Sequence, residues 1–206
     1  PYEYYTDLAV RRYGFHGTSH RYVAKGAAKA MRRELKDLNL ITCHLGNGAS
    51  ITAVKNGLCF DTSLGVPPLA GIMMGSRCGD VDPSAVTYVA KQRNIPPEKL
   101  DAIMNKQSGL LGICGRNDMR DVHEACRNGD EMAKLAFDMF IYRIQKYLGS
   151  YYAVLGRVDA LVFTAGIGEN DASAREHICR GLEHRGIRLD PVKNHAPSRA
   201  PREIQQ

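Results

Sequence analysis

An α/β domain is the architecture that this chain of 206 residues predicts, and three observations predict it. Three short apolar runs lie between residues 38 and 62, separated by Gly-Asn-Gly and Asn-Gly. A long amphipathic pattern covers about residues 130 to 155. A last apolar run, Ala160-Leu161-Val162-Phe163-Thr164, leads through Gly166-Ile167-Gly168 into another helical pattern.

Taken in chain order, residues 19 to 35 read as a helix, with Tyr22, Val23, Ala27, Ala30 and Met31 at helical spacing and Thr18 or Ser19 as its cap. Strands are expected over Leu38 to Leu45, Ala49 to Lys55 and Leu58 to Thr62. Asn56-Gly57 is a two-residue hairpin signal, since both residues tolerate positive φ. Gly46-Asn47-Gly48 makes the preceding reversal, so an antiparallel meander is expected. Residues 65 to 83, rich in Gly and Pro, read as a functional loop. Helices are expected over 84 to 93, 97 to 106 and 130 to 155. The stripe of the last one (Met132, Leu135, Ala136, Met139, Phe140, Ile144, Tyr147, Leu148) reads as core packing. Gly156 ends it, the fourth strand follows, and a glycine turn opens a helix over about 171 to 184. From Pro191 the basic tail reads as a loop or frayed end.

Hydrophobic residues make up 44% of the chain and charged residues 24%, as in ordinary globular proteins. No apolar run approaches the ~20 residues that span a bilayer, so no membrane helix is expected. Pro1-Tyr2-Glu3-Tyr4-Tyr5 has no basic stretch leading into an apolar one and is not a signal peptide. The chain has no initiator Met, and the expectation is a fragment or a processed chain. Six cysteines with no Cys-x-x-Cys pair argue against zinc ribbons and disulfide frameworks. They read as buried, reduced thiols of a cytoplasmic protein. The net charge of +6 is dispersed in pairs such as Arg11-Arg12 and Arg32-Arg33. That suits a small anionic ligand and not a nucleic acid.

Four segments carry chemistry. Arg11 to His20 crowds an aromatic, two glycines, two hydroxyls and two histidines into one turn-prone stretch. His16 is the candidate cation for a phosphorylated ligand. His16 and His20 are spaced as in zinc proteases, but Gly17 stands where the essential Glu would be, which excludes that reading; His20 is assigned a structural place on the following helix. Gly46-Asn47-Gly48 serves equally as an anion-binding nest or an ordinary hairpin turn. Arg77 lies between Gly75 and Gly79 and either grips a carboxylate or phosphoryl group or pairs with Asp80 or Asp82. Phe163 to Asn170 fails the dinucleotide fingerprint, because Asp171 holds the third glycine position. It still offers glycine-flanked backbone to a nucleotide.

Together, Arg11 to His20, His44 to Ser50, Asp61 to Gly65, Met74 to Pro83, Ser108 to Gly112 and Phe163 to Asn170 resemble, in this order, the acetate kinase family. These kinases form acyl phosphates and have the actin-like, ribonuclease H-like fold of the sugar kinase–Hsp70–actin superfamily. The resemblance implies reversible transfer of the ATP γ-phosphoryl group to acetate, giving ADP and acetyl phosphate; propionate and butyrate kinases, or an idle nucleotide-binding module, are the alternatives. Carried over by motif, His16 contacts the phosphoryl group in flight, and Arg77 binds the substrate carboxylate and the same phosphoryl oxygens. His44, Asn47 and Gly48 line the phosphate path. Asp118 and Arg120 hold the adenosine beside Gly166, Ile167 and Asn170, while Phe15 and Pro68 shape the acyl pocket.

The resemblance also implies a protein about twice this long. The chain is then the C-terminal, nucleotide-binding domain, without the N-terminal domain that brings a catalytic aspartate and a second arginine. The final strand and an acidic segment that helps hold Mg2+ are likewise expected outside it, so no metal ligand is assigned within these residues. A homodimer joined through this domain is implied. Pro67 replaces the family's usual Thr.

Overall fold

The structure is a computed structural model that describes residues 1–198 and 200–206. Its helices are α1 (Glu3–Asp7), α2 (Gly17–Ala30), α3 (Pro83–Gln92), α4 (Pro97–Lys106), α5 (Gly109–Cys114), α6 (Met119–Arg127), α7 (Glu131–Leu155), α8 (Ala165–Asn170), α9 (Ala172–Cys179) and α10 (Pro191–His195). Its strands are β1 (Leu40–Leu45), β2 (Ala49–Lys55), β3 (Leu58–Thr62) and β4 (Ala160–Thr164). They form one sheet in the order β3-β2-β1-β4. The first three strands are the antiparallel meander that the turn signals predict, and β4 joins the other side of β1 in parallel.

Side chains alternate along β1 and β2, and each face meets a different helix. Ile41, Cys43, Leu45, Ala49, Ile51 and Ala53 belong to the main core with Phe140, Ile144, Leu148 and Tyr151 of α7. Leu40 and Val54 pack instead with Leu38, Ala24 and Ala28, the last two on α2. The second face is graded along its length. Leu40 stands opposite Val54, Thr42 opposite Thr52 and His44 opposite Ser50, so polarity rises toward the C-terminal end of β1.

α2 matches that gradient at four-residue spacing, with buried His20, Ala24 and Ala28 in line. Tyr22, expected in the buried stripe, is 74% exposed. Small Ala residues let the helix lie close to the sheet, and their weak hydrophobic signal displaced the expected phase toward bulkier neighbours. The helix also starts earlier, at Gly17, with His16 and not Thr18 or Ser19 at the N-cap, and it ends at Ala30.

α7 departs from its expected stripe in a similar way. Ala136, Phe140, Ile144 and Leu148 are buried, whereas Met132 (49%), Leu135 (46%) and Met139 (40%) are exposed and do not belong to the core. Asp130 caps the helix by accepting from the N–H groups of Met132 and Ala133.

Gly166-Ile167-Gly168 is not a turn: Ala165 follows β4 directly into α8, and the helix expected over 171 to 184 stops at Cys179. Asp171 separates α8 from α9, capping the latter and reaching His123 Nε2 at 2.6 Å. The described part of the tail is held onto the domain rather than frayed. Buried Arg175 donates to the Gly168 and Glu169 carbonyls and to Asn194 Oδ1 and O, which ties α10 onto α8. α1, α5 and α6 are further helices that the sequence reading did not include, although Met119, Val122 and Ala125 recur at helical spacing in α6. Of the six free cysteines, Cys43 and Cys179 are buried but Cys59 is exposed, so burial is not common to them. Among the described residues, no helix is long and apolar enough to cross a membrane.

Candidate active site

The polar end of the α2-facing sheet surface gathers three histidines. His16 and His44 stack with ring centroids 4.0 Å apart. Ser50 Oγ lies 2.8 Å from His16 Nδ1 and 2.7 Å from His20 Nε2, while His20 Nδ1 lies 2.7 Å from Thr42 Oγ1. His44 Nδ1 is 2.8 Å from Ser19 Oγ. Burial, then His44, then Arg77 lower the His16 pKa to about 4; burial, then His44 and His16 do the same for His20. His44 is lowered by burial, with Glu169 opposing the shift. His16 is therefore neutral at pH 7, which corrects the expectation of a standing cation.

Arg77 comes from the loop between β3 and α3. Its Nη1 donates to Pro68 O at 3.0 Å, and among the described residues it forms no ion pair. Asp80 is engaged elsewhere, accepting from Gly71 N at 2.8 Å and from Tyr147 Oη at 2.5 Å, and Asp82 caps α3. The surface pairing considered for Arg77 is thus absent among the described residues, and its Nη1 lies beside Gly48. A Cβ placed on Gly48 would sit 3.6 Å from Arg77 Nη1 and 3.7 Å from His16 Nε2. That glycine keeps open a space bounded by both groups.

The surrounding segments are pinned by backbone contacts. Gly75 N donates to Asn47 O at 3.0 Å, Leu110 N to Met74 O at 3.0 Å and Leu111 N to Gly75 O at 2.9 Å. Gly109, at φ +63°, lets α5 press on this loop; a Cβ there would strike Met74 O and lie 2.8 Å from Arg77 O. A Cβ on Gly75 would likewise strike Asn47 Oδ1 and lie 2.8 Å from Asn117 O, so the segment leading to Asp118 and Arg120 abuts the Gly46–Gly48 turn. α8 reaches the turn from the other side, with Ala165 Cβ 3.7 Å from a Cβ built on Gly46.

His16, His44, Gly48 and Arg77 therefore lie together, Pro68 O accepts from Arg77, and Asn47 sets its Oδ1 against Gly75 instead. Phe15 is 38% exposed next to His16. Other candidates are oriented elsewhere. Asp118 and Arg120 pair with each other at 2.6 Å, which with the Arg120 N–H holds the Asp118 pKa at about 2. Ile167 packs against the main core, and Asn170 Nδ2 folds back to donate to Gly166 O at 2.9 Å. Gly166 is exposed on the first turn of α8. Sequence reading gave no site role to Ser19 or Ser50, although both lie in the segments singled out, and it missed Thr42, whose only signal is its alternation with apolar residues. It also missed Glu169, which accepts from Thr164 Oγ1 at 3.0 Å and Ala165 N at 3.1 Å.

The chain is similar to known proteins over nearly its whole length. The family model described as the Acetokinase family matches residues 1–205. An acetate kinase from Nitratidesulfovibrio vulgaris (strain DP4) is 58% identical over 204 residues, covering 99% of this chain and 51% of that protein. One from Lawsonia intracellularis is 59% identical over 198 residues, covering 96% of this chain and 49% of that protein. The crystal structure of Porphyromonas gingivalis acetate kinase superposes with a TM-score of 0.97 at 44% identity, covering 100% of this chain and 52% of that one. A propionate kinase from Francisella tularensis superposes with a TM-score of 0.90 at 46% identity, covering 95% and 50%. The chain spans about half the length of the curated relatives it matches. Its mixed sheet and flanking helices are those of an actin-like ATPase domain. With a family model covering nearly every residue and the same fold in solved relatives, this chain belongs to the acetokinase family.

Proposed function

We propose that this chain is the C-terminal, nucleotide-binding domain of a kinase that transfers the γ-phosphoryl group of ATP to acetate. A carboxylate oxygen attacks the γ-phosphorus, the bond to the β,γ-bridging oxygen breaks, and acetyl phosphate and ADP result; the reverse reaction makes ATP. The observation that carries this reading is the space at Gly48, bounded by Arg77 Nη1 and His16 Nε2. The transferring group is anionic and needs fixed donors more than covalent help. Acetate is already ionised at pH 7, so no general base is required.

In this reading Arg77 offers paired N–H groups to the carboxylate and the phosphoryl oxygens. His16 donates from Nε2, and His44, Asn47 and Gly48 line the phosphate path. Gly166, Ile167 and Asn170 border the nucleotide on one side, with Asp118 and Arg120 on the other. The last pair must open toward the ligand, because each now satisfies the other. Phe15 and Pro68 form part of the acyl pocket.

Mg2+ does not fit a ligand set here. Among the described residues no three His, Cys, Asp or Glu side chains converge on a metal position. Glu169 is occupied by Thr164 and the Ala165 N–H. In this reading the metal's carboxylates, the N-terminal domain and the extreme C-terminal segment belong to parts of the protein outside these residues. A reducing, cytoplasmic setting accords with six free thiols. Propionate is the second acceptor considered, because a propionate kinase matches over 95% of the chain.

The test is acyl-phosphate formation by the protein containing this chain, trapped as hydroxamate with hydroxylamine. His16→Ala and Arg77→Ala should each lower kcat by about 10²-fold or more, by analogy with lost transition-state donors. Full turnover in both variants would overturn the assigned roles. Ranking acetate, propionate and butyrate by kcat/KM identifies the acceptor.

A further inference from the structure

His20 and Ser50 touch neither the open space at Gly48 nor any surface groove, yet they form a continuous hydrogen-bonded row with His16. The order is Thr42 Oγ1, His20 Nδ1 and Nε2, Ser50 Oγ, His16 Nδ1, with successive separations of 2.7, 2.7 and 2.8 Å. Thr42, Ser50 and His20 are all buried, so each polar atom must be satisfied within the row. Ser50 has one hydroxyl proton and two nitrogen neighbours. With both rings neutral, one of those nitrogens must be protonated and the other bare.

The row consequently has two directions. If protons point inward, His16 carries its hydrogen on Nδ1 and shows a bare Nε2 to the site. If they point outward, Thr42 donates to His20 Nδ1, His20 Nε2 donates to Ser50 and Ser50 donates to His16 Nδ1. His16 then presents Nε2–H toward the space shared with Arg77. The inward direction requires the Thr42 hydroxyl to donate to Thr52 O, which is 3.5 Å away and makes a poor hydrogen bond. A bare His20 Nδ1, 2.7 Å away, is the better acceptor for that hydroxyl proton.

We propose that His20 and Ser50 are positioning residues that hold neutral His16 in its Nε2–H form, so that it meets a phosphoryl oxygen as a donor without carrying a charge. The proposal rests on the kinase reading for the identity of the ligand but not for the tautomer itself. It also reconciles the low His16 pKa with a donor role, because a neutral imidazole polarises an oxygen through N–H.

Ring 15N spectra of the 206-residue chain, labelled at histidine, read the protonation of each nitrogen directly. The expected wild-type result at pH 7 is a protonated Nε2 and a bare Nδ1 on His16. Ser50→Ala and His20→Leu should shift His16 toward a mixture of tautomers. His20→Gln should preserve the wild-type pattern, since an amide N–H replaces Nε2. In the protein containing this chain, Ser50→Ala should lower kcat roughly tenfold, short of the His16→Ala loss, and leave KM for ATP unchanged. A bare Nε2 in wild-type His16, or unchanged His16 shifts in folded Ser50→Ala, overturns the proposal; if Ser50→Ala does not fold, the wild-type spectrum decides. Absence of acyl-phosphate formation by wild-type protein counts against the kinase reading and leaves the tautomer result to stand or fall alone.

Discussion

His16 combines two unfavourable conditions, a left-handed backbone (φ +59°) and a ring withdrawn from water. Such backbone costs of order 1–3 kcal/mol and persists only where the surroundings impose it. Here the ring itself is held by Ser50 Oγ and by the stacked His44 ring. The protonation consequence has a definite sign. His16 and His20 titrate near 6.5 when unfolded and near 4 when folded, so between those values the unfolded chain binds more protons. Stability should therefore be level above pH 6.5 and decline as pH falls toward 4, with His44, Arg77 and Glu169 as the charged or titrating neighbours. Thermal denaturation followed from pH 8 to 4 measures this slope. His20→Leu should flatten it, and an unchanged slope would contradict the assigned shift.

At the scale of elements, the site depends on short segments pressed together by glycines. Gly109→Ala would place a side chain at φ +63° against the Met74 and Arg77 carbonyls. The backbone conformation alone costs about 1–2 kcal/mol, and the collision moves the loop that carries Arg77. The variant should unfold at lower urea and lose turnover by at least about tenfold, since small displacements of positioned groups are costly. A variant of wild-type activity would show that α5 does not hold Arg77. The elements most legible in the sequence were those with strong turn chemistry or length: the meander around Asn56-Gly57, α3, α4 and α7. Those missed include the short, glycine-containing α5 and α8, where packing and not periodicity decides the conformation. α6 was overlooked, although its buried Met119, Val122 and Ala125 recur at helical spacing behind the Asp118 cap. His16, His44, Asn47, Gly48 and Arg77 were legible as motif residues. Ser50, Thr42 and the phase of α2 were not, because an alanine face gives little hydrophobic contrast and a buried hydroxyl none.

At the scale of the molecule, α7 has two working faces. One carries Phe140, Ile144 and Leu148 into the core; the other leaves Met132, Leu135, Met139 and Tyr142 exposed at helical spacing. The resemblance implies a homodimer joined through this domain, and this exposed face is the candidate surface for it. Sedimentation of wild-type protein should report a dimer. Leu135→Glu with Met139→Lys should give a monomer with little change in thermal stability, and a wild-type monomer would refute the assignment.

The graded face between α2 and the sheet has another consequence, for the uniqueness of the fold itself. Side chains in a strand alternate, so a slip of one residue between β1 and β2 would exchange the two faces of the displaced strand. Thr42 and His44, or Thr52 and Ser50, would then point into the layer beneath α7, among Phe140, Ile144 and Leu148, with no hydroxyl or imidazole to answer them. Two purely apolar faces would tolerate such an error with little loss. The histidine row makes the mispaired sheet expensive, so residues placed for chemistry also discriminate the native pairing from its nearest competitor.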